Sequence, residues 1–151
     1  MKVYVASSWR NNYQPGVVSA LRKNGHDVYD FRKDGFSWNE IDPNWREWTP
    51  KEYIAALSHS CALRGFQRDM QALVDCQACV MVIPCGPSAS MEMGWAKGAG
   101  KPVTVYVPEV TEKNIDLMVM MADLVTDDLN EIIDLLAFRF VKATQVKGIL
   151  G

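Results

Sequence analysis

The chain has 151 residues, of which 48% are hydrophobic and 23% charged, and its formal net charge is −2. This length fits one folded domain, 1–151, and the composition is that of a soluble globular protein rather than of a disordered, collagen-like or coiled-coil chain. The slight negative charge argues against nucleic acid as a partner, and no apolar run reaches the roughly 18–20 residues that a membrane-spanning helix needs.

The first third of the chain predicts a strand, a helix and a second strand. Lys2–Ala6 carries β-forming residues and follows no apolar stretch typical of a signal peptide, so we expect a cytoplasmic protein. Apolar residues recur at helical spacing between Tyr13 and Asn24, and the glycine that follows Asn24 ends the helix. Asp27–Phe31 has the β-propensity of a short strand, and its acidic residues suggest an edge of the sheet.

A long insertion separates the second predicted strand from the next helix. Between Arg32 and Pro50 the sequence has no steady period, and its glycine, proline and tryptophan residues predict a structured loop with short helical turns. From Thr49 to Asp75 apolar residues recur every three or four positions. This pattern predicts one long amphipathic helix, with Pro50 at its first position and an interruption near Gly65.

The remaining elements again alternate between strands and helices. The pattern predicts, in order, a strand at Cys79–Pro84, a helix after Gly86–Ser90 that ends at Gly98 or Gly100, strands at Pro102–Val107 and Ala122–Thr126, and a helix at Asp128–Val141. Cys79–Pro84 is apolar throughout, which is typical of a strand buried on both faces. We therefore predict a flavodoxin-like, Rossmann-like α/β sandwich of three layers with a central parallel sheet of about five strands. In such folds ligands bind at the carboxyl ends of the strands.

The cysteines and histidines predict neither a disulfide nor a metal centre. The four cysteines, Cys61, Cys76, Cys79 and Cys85, lie in apolar surroundings of a chain long enough to fold without cross-links, so we expect free thiols in a reducing compartment. Cys76 and Cys79 form a lone CxxC pair that enters a strand instead of opening a helix. His26 is predicted at the surface and His59 within the long helix, each without a partner. We expect no cofactor and no metal.

The loop after the central strand is the most informative candidate site. The first loop, Ala6–Asn11, lacks the glycine fingerprint of a dinucleotide site. Gly86, Ser88 and Ser90 lead into a helix whose first turn is predicted to hold Glu92. The N–H groups and hydroxyls there can bind an anion, and the helix dipole favours an ionised glutamate that can attack an electrophilic carbon. The alternative is that Glu92 only stabilises the helix, as acidic residues in first turns commonly do.

Three stretches of the chain carry a resemblance to a known family. They are Lys2-Val-Tyr-Val-Ala-Ser-Ser-Trp9, Phe66-Gln-Arg-Asp-Met70 and Ser90-Met-Glu-Met-Gly-Trp-Ala-Lys-Gly-Ala-Gly-Lys-Pro-Val103. The chain resembles the nucleoside 2-deoxyribosyltransferase superfamily, which includes the 2-deoxynucleoside 5-monophosphate N-hydrolases. The third stretch is the most specific, because the family places its nucleophilic glutamate in a small-x-Glu-φ-Gly segment followed by Gly-Lys. The C-terminal third matches only loosely.

The resemblance implies an enzyme that cleaves the N-glycosidic bond of a deoxynucleoside with retention of configuration. Glu92 would attack the anomeric carbon, the base would leave, and a second base or water would attack the glycosyl-glutamate. Tyr4 would orient Glu92 by a hydrogen bond, and Asp69 would protonate or bind the base. Their structural alternatives are a packed aromatic ring and a solvated carboxylate. The implied substrate-binding residues are Ser7, Trp9, Gly86, Ser88 and Ser90.

Two departures from the transferase pattern leave the activity open. The transferases carry an aspartate several residues ahead of the nucleophile, but no acidic residue lies between Pro84 and Met91, so the general acid is unassigned. The serine-containing loop instead suits a phosphate, as in the N-hydrolases. The transferases also complete each site with an amide residue of a neighbouring subunit, and the segment Asn114–Asp123 resembles theirs only loosely.

These features predict the partners and leave three functions in competition. We expect a nucleoside or nucleotide and a nucleobase as small-molecule partners, and a homo-oligomer, a dimer or larger. The three candidate functions are a deoxyribosyl transferase, a monophosphate N-hydrolase and a nucleotide-binding module without catalysis.

Two apolar groups have alternative interpretations. The insertion tryptophans, Trp38, Trp45 and Trp48, either form a wall on which a nucleobase stacks or anchor the long loop to the rest of the protein. Trp9 is a better candidate for the pocket than any of the three. The methionines near Val119, which are Met118, Met120 and Met121, predict core or subunit interface rather than a soft-metal site.

Overall fold

The computed structural model contains five strands and five α-helices; it describes residues 1–33 and 35–149 and, of residues 140–149, the backbone only. The strands are β1 (Lys2–Ala6), β2 (Asp27–Tyr29), β3 (Ala78–Val82), β4 (Val103–Tyr106) and β5 (Leu124–Thr126). The helices are α1 (Gln14–Lys23), α2 (Pro50–Ala56), α3 (Ser60–Asp75), α4 (Pro87–Gly98) and α5 (Leu129–Ile149). Short 3₁₀ turns lie at Trp38–Glu40, Trp45–Glu47 and Leu117–Met121.

The strands form one parallel sheet in the order β2-β1-β3-β4-β5. β3 is the central strand, with β1 and β4 on either side of it, and every residue of β3 is buried, as its continuous apolar run predicts. Because all strands point the same way, the loops that follow them meet at one edge of the sheet. This edge carries the candidate site.

Helices cover both faces of the sheet, which confirms the predicted three-layer α/β sandwich. Side chains alternate between the faces along each strand. Tyr4 of β1 therefore packs on one face with Leu73 of α3 and Met93 of α4. Its neighbour Val3 packs on the other face with Leu136 of α5 and with side chains of α1.

The long helix predicted from Thr49 to Asp75 is two helices, and the predicted interruption near Gly65 is wrong. Thr49 caps α2 with its side chain, and Pro50 occupies the first helical position as predicted. The break lies at Leu57–His59. His59, predicted inside a helix, is the N-cap of α3, where its Nδ1 accepts a hydrogen bond from the backbone N–H of Cys61 at 3.2 Å.

Gly65 has a packing role in the middle of α3. A Cβ at this position would lie 2.7 Å from the Cβ of Phe36, so only glycine lets the insertion approach the helix this closely. The helix continues through Gly65 because its backbone hydrogen bonds stay intact while the missing side chain makes room for an aromatic ring.

Two helix boundaries differ from those predicted. α4 begins at Pro87, so Glu92 lies in its second turn and not in its first. α5 extends eight residues beyond the predicted end at Val141; residues 142–149 contain no proline, and half of them are good helix formers. Among the described helices, none combines the length and the hydropathy needed to cross a membrane.

The burial of individual side chains corrects one surface prediction and narrows a prediction of core or subunit interface to the interface. His26 is buried rather than exposed, because it follows the turn after α1 and lies against the N-terminus, with the amino group 3.5 Å from its Nδ1. The methionines Met118, Met120 and Met121 are exposed, so they do not belong to the core. Val119 alone of this segment's predicted apolar cluster packs against the core.

Candidate active site

A cleft of about 590 Å³ lies at the carboxyl ends of β1 and β3, between the first loop, the insertion, α3 and the start of α4. The predicted residues that line it are Ser7, Trp9, Asp69, Gly86, Ser88 and Glu92. Residues separated by up to 85 positions in the sequence thus converge on one cavity. The structure also places there several residues that the sequence does not single out, among them Arg10, Phe36, Asn39 and Arg46.

Glu92 is a half-buried carboxylate in the lining of the cleft. Burial, together with the negative charge of Asp69, raises its pKa from 4.5 to about 7, although a hydrogen bond from Tyr4 acts in the opposite direction. Burial thus outweighs the helix dipole, which was expected to favour the ionised form of Glu92. Glu92 lies one turn inside α4, where the dipole is weak and desolvation dominates.

Tyr4 supplies the hydrogen bond to Glu92 from the middle of β1. The ring is 1% exposed and packs in the core between the sheet and α4. Burial, followed by the charges of Glu92 and Asp69, raises the pKa of its hydroxyl, so the phenol stays protonated and donates. The side chain therefore both packs in the core and reaches the site.

Asp69 lies on α3 and is held by a residue that the sequence does not single out. The hydroxyl of Tyr29 donates a hydrogen bond of 2.6 Å to Oδ1 of Asp69. The rings of Tyr29 and Tyr4 stack with their centroids 5.2 Å apart and their planes at 22°. Pairing of Tyr4 with Tyr29 in the β1–β2 register explains the stack, because paired residues of parallel strands point to the same face.

The loop between β3 and α4 brings Gly86 and Ser88 to the cleft but leaves Ser90 outside its lining. Gly86 is the N-cap of α4, and no side chain among the described residues caps this helix. Its first N–H groups are thus available to an anion. Ser90 instead forms a hydrogen bond with the thiol of Cys85, whose pKa is raised by burial.

Ser7 connects the first loop to the end of β3. Its Oγ donates a hydrogen bond of 2.8 Å to the carbonyl oxygen of Val82. Asn11, which is buried, donates from Nδ2 to the carbonyl oxygens of Val82 and Pro84. These bonds join the first loop to the end of β3 and to the start of the β3–α4 loop.

Arg32 also holds the first loop through hydrogen bonds. Its guanidinium donates to the carbonyl oxygens of Ser8, Trp9 and Asn11, at 3.2, 2.6 and 2.7 Å. Trp9 is 54% exposed and packs edge-on against Phe31 at the mouth of the cleft. This role of Arg32 could not be predicted from the sequence, because every residue has a backbone carbonyl and only the folded loop determines which of them the guanidinium reaches.

The three tryptophans of the insertion divide between the two predicted roles. Trp38 and Trp45 line the cleft, whereas Trp48 does not. Trp38 also packs edge-on against Phe36, Trp48 and Tyr53, so it both lines the cleft and anchors the loop. The guanidinium of Arg46 lies 4.5 Å from the ring centroid of Trp45, which places a cation on this aromatic surface.

The cysteines lie apart from the cleft lining. All four are free; Cys76 ends α3 and Cys79 lies in β3, and burial raises the pKa of both thiols. Within residues 1–33 and 35–139, no group of three or more His, Cys, Asp or Glu side chains could hold a metal ion.

Solved structures with the same fold include a 2-deoxyribosyltransferase from the psychrotolerant bacterium Bacillus psychrosaccharolyticus. It aligns with a TM-score of 0.61 and 23% identity over 87% of this chain and 90% of its own. The CMP N-glycosidase BcmB of Clostridium botulinum aligns with a TM-score of 0.50 and 14% identity over 91% of this chain and 99% of its own. No protein-family model and no curated protein matches the sequence. The chain thus has the fold of a 2-deoxyribosyltransferase and of a CMP N-glycosidase, as the resemblance predicts.

Proposed function

We propose that the protein cleaves the N-glycosidic bond of a deoxynucleoside through a covalent glycosyl-Glu92 intermediate and transfers the sugar to another base. The observation that carries this proposal is the Glu92 carboxylate, hydrogen-bonded by Tyr4, in a cleft that also holds a second carboxylate, Asp69. Aromatic side chains of the first loop and the insertion also line the cleft, which suits a nucleobase.

In the first step the ionised Glu92 carboxylate is the nucleophile. One carboxylate oxygen forms a bond to the anomeric carbon while the carbon–nitrogen bond breaks, and the electron pair of that bond stays on the base nitrogen. Asp69 protonates or binds the departing base. The Tyr4 hydrogen bond fixes which carboxylate oxygen faces the sugar. A pKa of about 7 leaves about half of the Glu92 side chains ionised at neutral pH.

In the second step a nitrogen of another base attacks the same carbon, the proton of that nitrogen passes to Asp69, and Glu92 leaves as a carboxylate. Two successive inversions retain the configuration of the sugar. The cleft volume of about 590 Å³ is in the range of small-molecule sites, so one nucleoside fits and the bases exchange in turn.

The main alternative is a 2-deoxynucleoside 5-monophosphate N-hydrolase, with water as the acceptor. It is favoured by Gly86 and Ser88 at the uncapped start of α4 and by the guanidinium-bearing Arg10, all of which line the cleft. An anion such as a phosphate suits the positive end of a helix dipole. A third candidate is a nucleotide-binding module that has this cleft without turnover.

We also propose that the chain works as a homo-oligomer. Met120 is 81% exposed, and Ile115 and Leu117 of the same segment are each 73% exposed. A second copy of the chain would cover this apolar segment. Analytical ultracentrifugation tests this, with a dimer or larger species expected and a monomer at all concentrations contradicting it.

Chromatography tests the proposed activity directly. The protein is incubated with each deoxynucleoside and each deoxynucleoside 5-monophosphate, with and without a second free base, and free base and new nucleoside are followed. New nucleoside is expected only when the second base is present. Free base from monophosphates alone would assign the N-hydrolase activity instead. No product from the parent, together with equal ligand binding by the parent and by Glu92→Ala, would support the binding module.

A further inference from the structure

We infer that Tyr29 is a positioning residue that holds the carboxylate of Asp69 at a fixed distance from Glu92. This inference rests on the proposed function of the cleft and adds a residue to it. Tyr29 is the last residue of β2, and its hydroxyl donates a hydrogen bond of 2.6 Å to Asp69. The ring does not line the cleft, so it acts through Asp69 rather than on the substrate.

The geometry consists of two stacked phenols that each hold one carboxylate. Tyr4 donates to Glu92, Tyr29 donates to Asp69, and the two rings stack at 5.2 Å. The rings are paired across β1 and β2, where the ladder fixes their spacing. Because each hydroxyl is at the end of a rigid ring, the strand register determines where both carboxylates lie.

The hydrogen bond of Tyr29 has the donor direction that this role needs. Burial and the carboxylate of Asp69 raise the pKa of the Tyr29 hydroxyl, so it stays protonated and donates. Arg68 also forms a hydrogen bond with Tyr29, which fixes the hydroxyl from a second side. Asp69 is partly exposed on α3 and would otherwise turn into solvent.

The consequence for the reaction is control over the distance between nucleophile and second carboxylate. Asp69 raises the pKa of Glu92, so the two groups already interact across the cleft. The other titratable groups that face Glu92 are Tyr4 from β1, Cys79 from β3 and Cys85 from the β3–α4 loop. Displacement of the carboxylate by about 1 Å can lower a rate by up to about 100-fold.

The test uses Tyr29→Phe, which keeps the ring stack and removes only the hydroxyl. Tyr13→Phe is the matched control, because Tyr13 also donates to a carboxylate, Glu109, but outside the cleft. We expect kcat/KM to fall about 10- to 100-fold in Tyr29→Phe and to stay unchanged in Tyr13→Phe. In a background that already carries Asp69→Asn, the Tyr29→Phe change should have no further effect, because the residue acts only through Asp69.

A titration independent of activity separates this inference from the proposed function. The Glu92 carboxyl is followed by carbon-13 NMR against pH in the parent and both variants, and we expect its pKa to fall only in Tyr29→Phe, as Asp69 moves away. If the parent converts no nucleoside, the proposed function fails and the titration alone decides the position of Asp69. An unchanged Glu92 titration in Tyr29→Phe would overturn the inference. A second result would also overturn it. If the parent is active and Tyr29→Phe lowers kcat/KM as much in the Asp69→Asn background as in the parent, Tyr29 does not act through Asp69.

Discussion

The two walls of the cleft are built in different ways. The carboxylate wall consists of Glu92 and Asp69 with Tyr4 and Tyr29 behind them, and strand register and helix packing determine its geometry. The aromatic wall consists of Trp9, Phe36, Trp38 and Trp45, and belongs to loops without sheet hydrogen bonds. Tyr4 is 1% exposed, whereas Trp9 is 54% exposed.

This difference separates chemistry from recognition. Catalytic groups need positions fixed to fractions of an ångström, which strands and packed helices provide. Base recognition by stacking tolerates adjustment, because every nucleobase has a π-face. Changes in the carboxylate wall should therefore lower kcat, and changes in the aromatic wall should mainly raise KM.

Glu92→Gln should have the largest effect. We expect kcat/KM to fall by at least about 1,000-fold, because an amide of the same shape cannot act as the nucleophile. The melting temperature should stay the same or rise, since burial of an ionised carboxylate is unfavourable. Steady-state kinetics and calorimetry measure both. Glu112→Gln, at an exposed position outside the cleft, is the matched control and should keep full activity.

The pH dependence should shift in opposite directions in two variants of the carboxylate wall. With a Glu92 pKa of about 7, the kcat/KM of the parent should rise with pH through about 7, as the nucleophile ionises. Asp69→Asn removes a charge that raises this pKa, so the rise should move to lower pH. Tyr4→Phe removes the hydrogen bond that lowers it, so the rise should move to higher pH. Shifts in the same direction would contradict this electrostatic account.

Trp45→Ala should raise KM with little effect on kcat. Loss of one stacking surface is worth about 1–3 kcal/mol, so we expect KM to rise by about 5- to 150-fold. Trp95→Ala is the control, because this tryptophan lies on α4 and outside the cleft. A fall in kcat with unchanged KM would show that the aromatic wall takes part in the chemistry.

Gly65→Ala should loosen the aromatic wall without touching the substrate. The added methyl group would meet Phe36 at 2.7 Å, so the insertion must shift, and we expect a loss of about 1–3 kcal/mol in the free energy of unfolding. Gly98→Ala places the same methyl group in open space near the end of α4 and should be neutral or stabilise by up to about 1 kcal/mol. Chemical denaturation measures both. Equal effects of the two changes would contradict the packing assigned to Gly65.

The part of the carboxylate wall that depends only on the order of strands and helices could be predicted from the sequence. Alternating strands and helices imply a parallel sheet, and a parallel sheet brings the loops after β1 and β3 together. Ser7 and Glu92, which follow these two strands, therefore line one cleft, whereas Asp69 of α3 was expected there only from the family resemblance. The pKa of Glu92 could not be predicted, because it depends on how deeply the folded cleft buries the carboxylate.

The remaining features depend on partners that no local pattern reveals. Tyr29 contacts Asp69 across 40 positions in the sequence, and Arg32 contacts carbonyl oxygens that any loop sequence has. In the sequence Gly65 indicates a break in the helix, because glycine is a poor helix former. Its packing against Phe36 could not be predicted, because Phe36 lies in a segment without periodicity. The sequence signal that could have indicated the role of Tyr29 is its pairing with Tyr4 across β1 and β2. That pairing can be predicted only if the exact register of the two strands is known.

Trapping the intermediate tests the central claim most directly. Fluorine at C2 of a 2-deoxy-2-fluoro nucleoside destabilises the oxocarbenium-like transition states of both steps, so without an acceptor base the glycosyl-enzyme should accumulate, and intact-mass spectrometry can detect it. We predict a mass increase of one fluorinated sugar, located by proteolysis to the peptide that contains Glu92 and lost on addition of a free base. Release of base without any adduct, or an adduct on another residue, would contradict the role of Glu92 as the nucleophile.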